Sequence, residues 1–556
     1  KYRTPSYGNP PEPWSGEFIG KYLQSAIPYL IMTQSKDLEM VVRSVLKELE
    51  ALQESSGYLG PWREGQLSDH WDLWGHNHLI HGLLDCAEYF HESRYQSMAD
   101  KIGRLITHKY LRDGYEFSHS DSMEMNMGIL HGVARLYRLT SYPEYLEFCH
   151  RIVSDFEKQG AGDYYRLALA QKEFYTTPKP RWESLHCLMG LCELSQITGD
   201  VSYLDAVIFI WDSIFKTDIH QDGSFSTHEK AMGNPFESGP IETCCTVAWM
   251  WLTLKLYQIT QAPRYVDALE WATLNASRGF THPSGRWFTY DTPMKGHRIS
   301  SAQSIVFQAR AGTPELNCCS MSAPQALGLL TQWAFTSFNH RLQVNYYGSG
   351  EFHCMDEEGL SWIIRQETEY PVHPAVVVRI ISEHPIDKTI QLRIPQWSLI
   401  TKISINAEEI EMAKIHPGEY VDIHRNWSSG DTIRLELDFT PRLIKGDIRV
   451  QNQSSLIVGP LVLAYDQKWN AHEVQEIQNL EIMTLKLIDN PFINLKYPPM
   501  VCYEIRDESG HSYYLGDFGM AGVYGTYYQS WLPVKSKQEG CLPLLYGTPV
   551  IPVEYN

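Results

Sequence analysis

AEYFHESRYQSMA (87–99) is the stretch on which the fold turns, because four other segments repeat its pattern. They are YLIMTQSKDLEM (29–40), LYRLTSYPEYLEFC (136–149), LSQITGDVSYLDA (194–206) and LYQITQAPRYVDA (256–268). Each reads as an apolar helix end, a short polar turn, a Tyr or Leu, and a second apolar helix. Tyr95, Tyr145, Tyr203 and Tyr265 lie 50, 58 and 62 residues apart, enough for a helix pair and a loop in each unit. Helix pairs repeating at this spacing bury their apolar faces on their neighbours, in an open solenoid or a closed toroid. The long period and irregular loops such as 215–240 favour a closed (α/α) barrel with loops around one mouth.

From about Leu342 the period falls to two. RLQVNYY (341–347), AVVVRII (375–381), TIQLRI (389–394), TKISIN (401–406) and TIRLELDF (432–439) alternate apolar and polar residues. Turn sequences GSG (348–350), SSGD (428–431) and DESGHS (507–512) punctuate them, as in antiparallel sandwich layers. A helix at 323–337 is expected to precede the first strand. The chain therefore divides near residue 340, into a helical domain 1–340 and a β-sandwich region 341–556 of one or two domains. The run Leu456–Tyr465 reads as a buried strand with a Gly-Pro turn inside it, and no apolar run is long enough to span a bilayer.

Acidic residues outnumber basic ones 66 to 47, and the net charge of −19 opposes a phosphate backbone, so nucleic acid is set aside as a partner. The 33 Tyr and 16 Trp suit sugar stacking as well as they suit a large helical core. The 11 Cys do not form a disulfide scaffold. Seven are scattered, and four form the adjacent pairs Cys244-Cys245 and Cys318-Cys319.

Glu242 and Cys244 in IETCCT, with Cys318 and Cys319 in LNCCSM, could complete the tetrahedral shell that Zn²⁺ prefers. Core packing and a redox pair are the competing readings of the same residues. A metal-bound cysteine is ionised outright, so one exposed to a pocket could act as a nucleophile. Glu229, in FSTHEKAMGNPFESG, is the natural proton donor beside it, unless it is a solvated loop carboxylate.

The chain also resembles the β-L-arabinofuranosidases of glycoside hydrolase family 127, over nearly its whole length. WSGEFIGKYLQSA (14–26), DLWGHNHLIHGLLD (72–85), ETC (242–244), CC (318–319), LRIPQW (392–397), Tyr420, Arg425-Asn-Trp427, Gly430-Asp431 and VGPLVLAY (458–465) carry the resemblance in order. It implies an (α/α)6 barrel followed by antiparallel β-sandwich domains. It also implies zinc on Glu242, Cys244, Cys318 and Cys319, with Cys318 as nucleophile and Glu229 as acid/base. His78 and His186 then contact sugar hydroxyls, and Trp71, Trp74 and Trp182 are candidates for stacking.

Two departures stand out. The acid/base context reads His228-Glu229-Lys230-Ala231-Met232, which keeps Glu237 as a competitor for that role. Asn77 replaces a Gly and is expected to alter the pocket wall. The implied activity is retaining release of terminal β-L-arabinofuranose or a related sugar from plant cell-wall glycans. Two alternatives accompany it: an acidic or branched pectic pentose, with Arg181 and Lys230 as its charge partners, and a non-catalytic carbohydrate-binding protein with a structural zinc. A periplasmic or secreted location is favoured with the cytoplasm open, and a homodimer is left open.

Overall fold

The computed structural model describes residues 13–300 except 63, 68 and 121, then 317–338, 341–355, 359, 361–535, 542–543 and 549–552. Among the described residues, eleven helices of ten residues or more build the first part. They are α1 (Glu17–Thr33), α2 (Lys36–Leu52), α3 (Asp72–Phe90), α4 (Ser93–Leu111), α5 (Ile129–Thr140) and α6 (Pro143–Asp155), then α7 (Ser184–Thr198), α8 (Val201–Thr217), α9 (Thr243–Thr260), α10 (Pro263–Ala272) and α11 (Cys318–Gly328).

The repeated segments are tight helical hairpins. In each, the residue after the odd-numbered helix is left-handed: Gln34, His91, Ser141, Gly199 and Gln261, with φ between 50° and 75°. That geometry closes the first helix by a backbone bond to a carbonyl of its last turn. The next residue opens the returning helix, with Ser35 and Asp200 capping by side chain and Pro143 and Pro263 at the first helical position. The repeating tyrosines each sit at the third position of a returning helix and are buried. Tyr145 donates to the Asp100 carboxylate at 2.7 Å, which tells why a Tyr is used there.

The odd-numbered helices pack in sequence, α1 on α3, then α5, α7, α9 and α11, and α11 returns to α1. Six helices thus close a ring, with α2, α4, α6, α8 and α10 each packed outside its predecessor. Glycines set the tightest contact: a Cβ on Gly20 of α1 would lie 2.3 Å from the His78 carbonyl carbon of α3. Among the described residues, no helix is long and apolar enough to cross a membrane.

The helix expected at 323–337 is shorter and shifted. It runs Cys318–Gly328, continues as a single turn at Leu330–Trp333, and gives way to a strand at Phe335–Phe338. Thr336 and its neighbours are captured by the strand Arg341–Val344, so pairing overrides the helical reading. Residues 339 and 340, where the boundary is expected, lie outside the described residues.

Three sheets follow among the described residues. A four-stranded sheet orders Tyr420–Trp427, Ile386–Arg393, Arg341–Val344 and Phe335–Phe338, and a six-stranded sheet runs from Gly350–Met355 to Glu408–Glu409. A larger sheet is built mainly from residues after 441. Most pairs are antiparallel as expected, but Arg341–Val344 lies parallel to Ile386–Arg393, a direction that alternation alone does not encode. The run 456–465 is a hairpin, Ser454–Val458 and Leu461–Asp466, turning at Gly459-Pro460. Its two faces are both buried: Ile457, Val462 and Ala464 join the helical core, while Leu456, Leu461 and Leu463 join the β core. This sheet is the wall between ring and β layers.

Candidate active site

The odd-numbered helices bring their N-terminal turns together at one end of the ring. Glu242 is the N-cap of α9 and Cys244 its second residue, while Cys318 and Cys319 open α11. Asn317 and Ser320 form a capping box that fixes the first turn of α11. The segment after Tyr290 holds Glu242 from the other side, through Thr243 N–H to Tyr290 O and Thr292 N–H to Ile241 O. Each terminus presents partial positive charge, which favours thiolate over thiol.

One oxygen or sulfur from each of Glu242, Cys244, Cys318 and Cys319 lies within 4.8 Å of the others, and all four residues are buried. Cys319 Sγ is 3.4 Å from both Cys244 Sγ and Glu242 Oε1, and Cys318 Sγ is 3.8 Å from Glu242 Oε1 and 3.9 Å from Cys319 Sγ. A tetrahedral zinc with ordinary bond lengths gives ligand–ligand edges of about 3.5 to 3.8 Å. The donor set fits that ion.

Its electrostatics also call for a cation. Burial pushes the Cys318 and Cys319 thiols and the Glu242 carboxyl up, and the charges of Cys244 and Glu229 add to this at Glu242. Cys244 alone is held well below the ordinary thiol value. Burial opposes its charge, but hydrogen bonds from Cys318 and Cys319 and the Lys21 ammonium outweigh it. Without a metal, burial works against carrying four negative charges on this group.

Lys21 is a residue the sequence reading did not single out. It lies 3.8 Å from Cys244 Sγ and 3.0 Å from Glu17, and has almost no exposed surface. Glu17 in turn accepts a bond from Trp74 Nε1. Trp74 is fully buried and meets His78, His186 and Trp182 edge-on. It therefore supports the pocket from behind and offers no face to a sugar, whereas Trp182 lines the cavity. Trp71 is half-buried, with Nε1 donating to Ser122.

His78 and His186 face each other with ring centroids 5.0 Å apart, and both line the cavity. Burial and the Lys21 charge lower both, His186 to about 3, so the rings are neutral near pH 7. Gly132 N–H needs the Asn77 oxygen (3.0 Å), which turns the Asn77 amide nitrogen to His186 Nδ1 at 3.3 Å. His186 then carries its proton on Nε2 as a donor. His78 Nδ1 meets Gln24 Oε1 at 3.1 Å, leaving Nε2 as an acceptor without a protein partner. Asn77 is fully buried and does not line the cavity, so it orients His186 from behind and does not shape the wall directly.

Glu229 sits in a two-residue reversal, with His228 at φ 52° and itself at 63°, closed by Thr227 and Lys230 bonding each other's backbone. Such positive φ at both central positions is costly without Gly and marks a held side chain. Arg181 Nη2 bonds Glu229 at 3.0 Å and Glu183 at 2.7 Å. The Arg181 charge is thus committed to two carboxylates, and Lys230 is exposed. Glu237 bonds Asn234 at 3.0 Å, and it is Glu229 whose charge acts on Glu242 and Tyr290. Glu183, missed in the sequence although it lies in RWESLH, is buried at the N-cap of α7, and burial pushes its carboxyl up to about 7.

A helical ring holds at its mouth a buried Cys₃Glu group that could hold a metal ion, and β-sheet domains follow it. The family model described as Beta-L-arabinofuranosidase, GH127 catalytic domain, matches residues 3–327, and the GH127 middle-domain model matches 341–439. The chain belongs to glycoside hydrolase family 127 and is a glycoside hydrolase. A solved GH127 beta-L-arabinofuranosidase from Geobacillus stearothermophilus T6 superimposes with TM-score 0.76 at 18% identity, covering 94% of this chain and 91% of that one. The GH127 beta-arabinofuranosidase BT3674 gives 0.77 at 19%, covering 96% and 90%. A structure titled glycoside hydrolase gives 0.75 at 16%, covering 94% and 92%. At these identities the likeness is one of fold. No curated protein sequence matches the chain.

Proposed function

We propose that the chain is a retaining hydrolase that releases terminal β-L-arabinofuranose, or a closely related sugar, from plant cell-wall glycans. The observation that carries this is the gathering of Glu242, Cys244, Cys318 and Cys319 at two helix N-termini, with Glu229 acting on the same group. The closed ring is read as the (α/α)6 barrel, with residues 1–340 as the catalytic domain and 341–556 as one or two β-sandwich domains.

The four residues would hold zinc, which when bound keeps its thiolate ligands ionised at neutral pH. Cys318 Sγ attacks the anomeric carbon and a C–S bond forms as the C–O bond breaks. Glu229 gives its proton to the departing oxygen. Glu229 then takes a proton from water, whose oxygen displaces the sulfur, and the sugar leaves with its configuration retained. Neutral His78 and His186 supply one acceptor and one donor to sugar hydroxyls, and Trp182 covers the ring. The engagement of Arg181 with Glu183 and Glu229 supports a neutral sugar over an acidic one.

The test is covalent trapping with an arabinofuranoside whose leaving group needs no proton. Intact mass should show a pentosyl adduct on Glu229→Gln and none on Cys318→Ser, since a hydroxyl is far harder to ionise. An adduct on another residue, or an inverted product from wild type, overturns the mechanism. Elemental analysis should find about one zinc per chain, most of it lost in Cys244→Ser.

A further inference from the structure

The ring encloses far more space than one pentose fills. A cavity of about 960 Å³ runs from Lys21, His78, His186 and Cys244 at the metal end to Gln258 and His91 at the opposite rim. Small-ligand sites span about 300 to 1,000 Å³, and a single pentose belongs at the small end. Cys244 and Gln258 lie on one helix, fourteen residues apart, and both line the cavity. At 1.5 Å per residue that is a depth of about 21 Å, several times the span of one sugar ring.

The middle of this space is polar and incompletely satisfied. His81 and His131 line it with ring centroids 4.0 Å apart, and they are only 3% and 8% exposed. Arg135 donates to His81 Nδ1 at 3.1 Å, so His81 carries its own proton on Nε2. That Nε2 and the His131 Nδ1 have no protein partner. Buried polar atoms without partners call for water or a ligand. Charge in the deeper half balances as a group, three cations against the carboxylates of Asp85, Glu88 and Glu193. Arg135 meets Asp85 at 2.7 Å and Glu88 at 3.9 Å, and Arg138 and Lys255 both meet Glu193 at 2.5 Å. Such a lining offers hydrogen bonds without a net field, which suits a neutral polyhydroxylated group and disfavours an anion.

We infer that the ring cavity beyond His78 and His186 is a second sugar subsite, which takes a neutral sugar unit carried on the arabinose held at Cys318. The inference rests on the proposed activity and deepens it: the product released is then a disaccharide or longer, not only a free pentose. His81 Nε2 donates to that second unit and His131 Nδ1 accepts from it.

The test compares aryl β-L-arabinofuranosides with and without a second neutral sugar, one series for each free hydroxyl of the arabinose. Ala248, on the cavity wall one turn beyond Cys244, and Leu84 deeper on α3 are each replaced by Phe. Wild type should cleave at least one extended glycoside with kcat/KM no lower than the simple one, releasing the disaccharide intact. Ala248→Phe or Leu84→Phe should cut kcat/KM on that substrate at least tenfold and leave the simple substrate within threefold. Zinc content and unfolding midpoint of each variant report whether it folds, and the wild-type comparison stands without them. Cleavage of the simple glycoside alone, or an equal loss on both, shows a water-filled interior and overturns the subsite. If wild type cleaves neither, calorimetry and crystal soaks with the free disaccharides decide. A disaccharide bound between His81 and His131 keeps the subsite while the proposed activity falls, and no binding overturns the subsite as well.

Discussion

Lys21 shows how much of the site rests on single buried charges. Three thiolates and a carboxylate would leave an excess of negative charge around a bound dication, and Lys21 stands 3.8 Å from one of the sulfurs. Replacing Lys21 with Met, together with Glu17→Gln to avoid a stranded carboxylate, should weaken zinc binding by about tenfold or more. Competition with a chelating dye measures this, and unchanged affinity would remove Lys21 from any role in the metal site. Glu183 gives a pH-dependent prediction. Burial raises its carboxyl from 4.5 to about 7, against the opposing pull of Arg181. An acid raised on folding adds stability that is full below pH 4.5 and is lost as pH climbs through 7. Glu183→Gln should lack this loss, so its stability relative to wild type should improve between pH 5 and pH 8, by on the order of 2 kcal/mol. Urea midpoints at the two pH values read it, and parallel pH curves would refute it. The gathering of Glu242, Cys244, Cys318 and Cys319 was legible in the sequence because adjacent cysteines are rare and chemically loud. Glu17 and Lys21 were not, since an (i, i+4) Glu–Lys pair looks like any solvated helix face. Asn77 was visible as a departure, but its action through His186 needed the Gly132 contact, 55 residues away.

At the scale of elements, the helical hairpins carry a backbone cost that can be isolated. Gly199 is left-handed at φ 75°, and a Cβ there would meet nothing within 4 Å. Gly199→Ala should therefore destabilise by about 1 kcal/mol through backbone conformation alone. Ser141 occupies the equivalent place at φ 53° with a Cβ already present, so Ser141→Gly should be neutral or stabilising by up to about 1 kcal/mol. Opposite signs in thermal melts support the shared geometry, and equal signs would break it. Gly20 is a different case, because its missing Cβ lets α1 and α3 touch. Gly20→Ala should cost about 1 to 3 kcal/mol and part Gln24 from His78, reducing turnover as well as stability. The hairpins could be read from sequence because cap, turn and Tyr recur together. Strand direction and the strand Phe335–Phe338 could not, since partners such as Arg341–Val344 and Ile386–Arg393 impose them from elsewhere in the chain.

At the scale of the whole molecule, the ring and the β layers are joined by more than apolar contact. LRIPQW was recognisable as a motif, but its purpose depends on residues more than 100 positions earlier. Arg393 is fully buried and pairs with Asp267 and Glu270 on α10, while its Nε donates to Asn345 O at 2.7 Å. Trp397 Nε1 and the Tyr370 hydroxyl also donate to Glu270, at 3.2 and 2.7 Å. This cluster ties an outer helix of the ring to the four-stranded sheet. A buried ion pair adds little over an apolar contact of the same shape, yet removing one partner strands a charge and costs about 3 to 5 kcal/mol. Arg393→Met should lose that much, and the triple variant with Asp267→Asn and Glu270→Gln should regain part of it. If the cluster couples the two regions, calorimetry of Arg393→Met should resolve two unfolding steps where wild type shows one. The β region should separate first, because the ring keeps its own core while the sheet loses its polar anchor. A single unshifted transition would mean that the wall formed by Ser454–Asp466 holds the two parts together without Arg393.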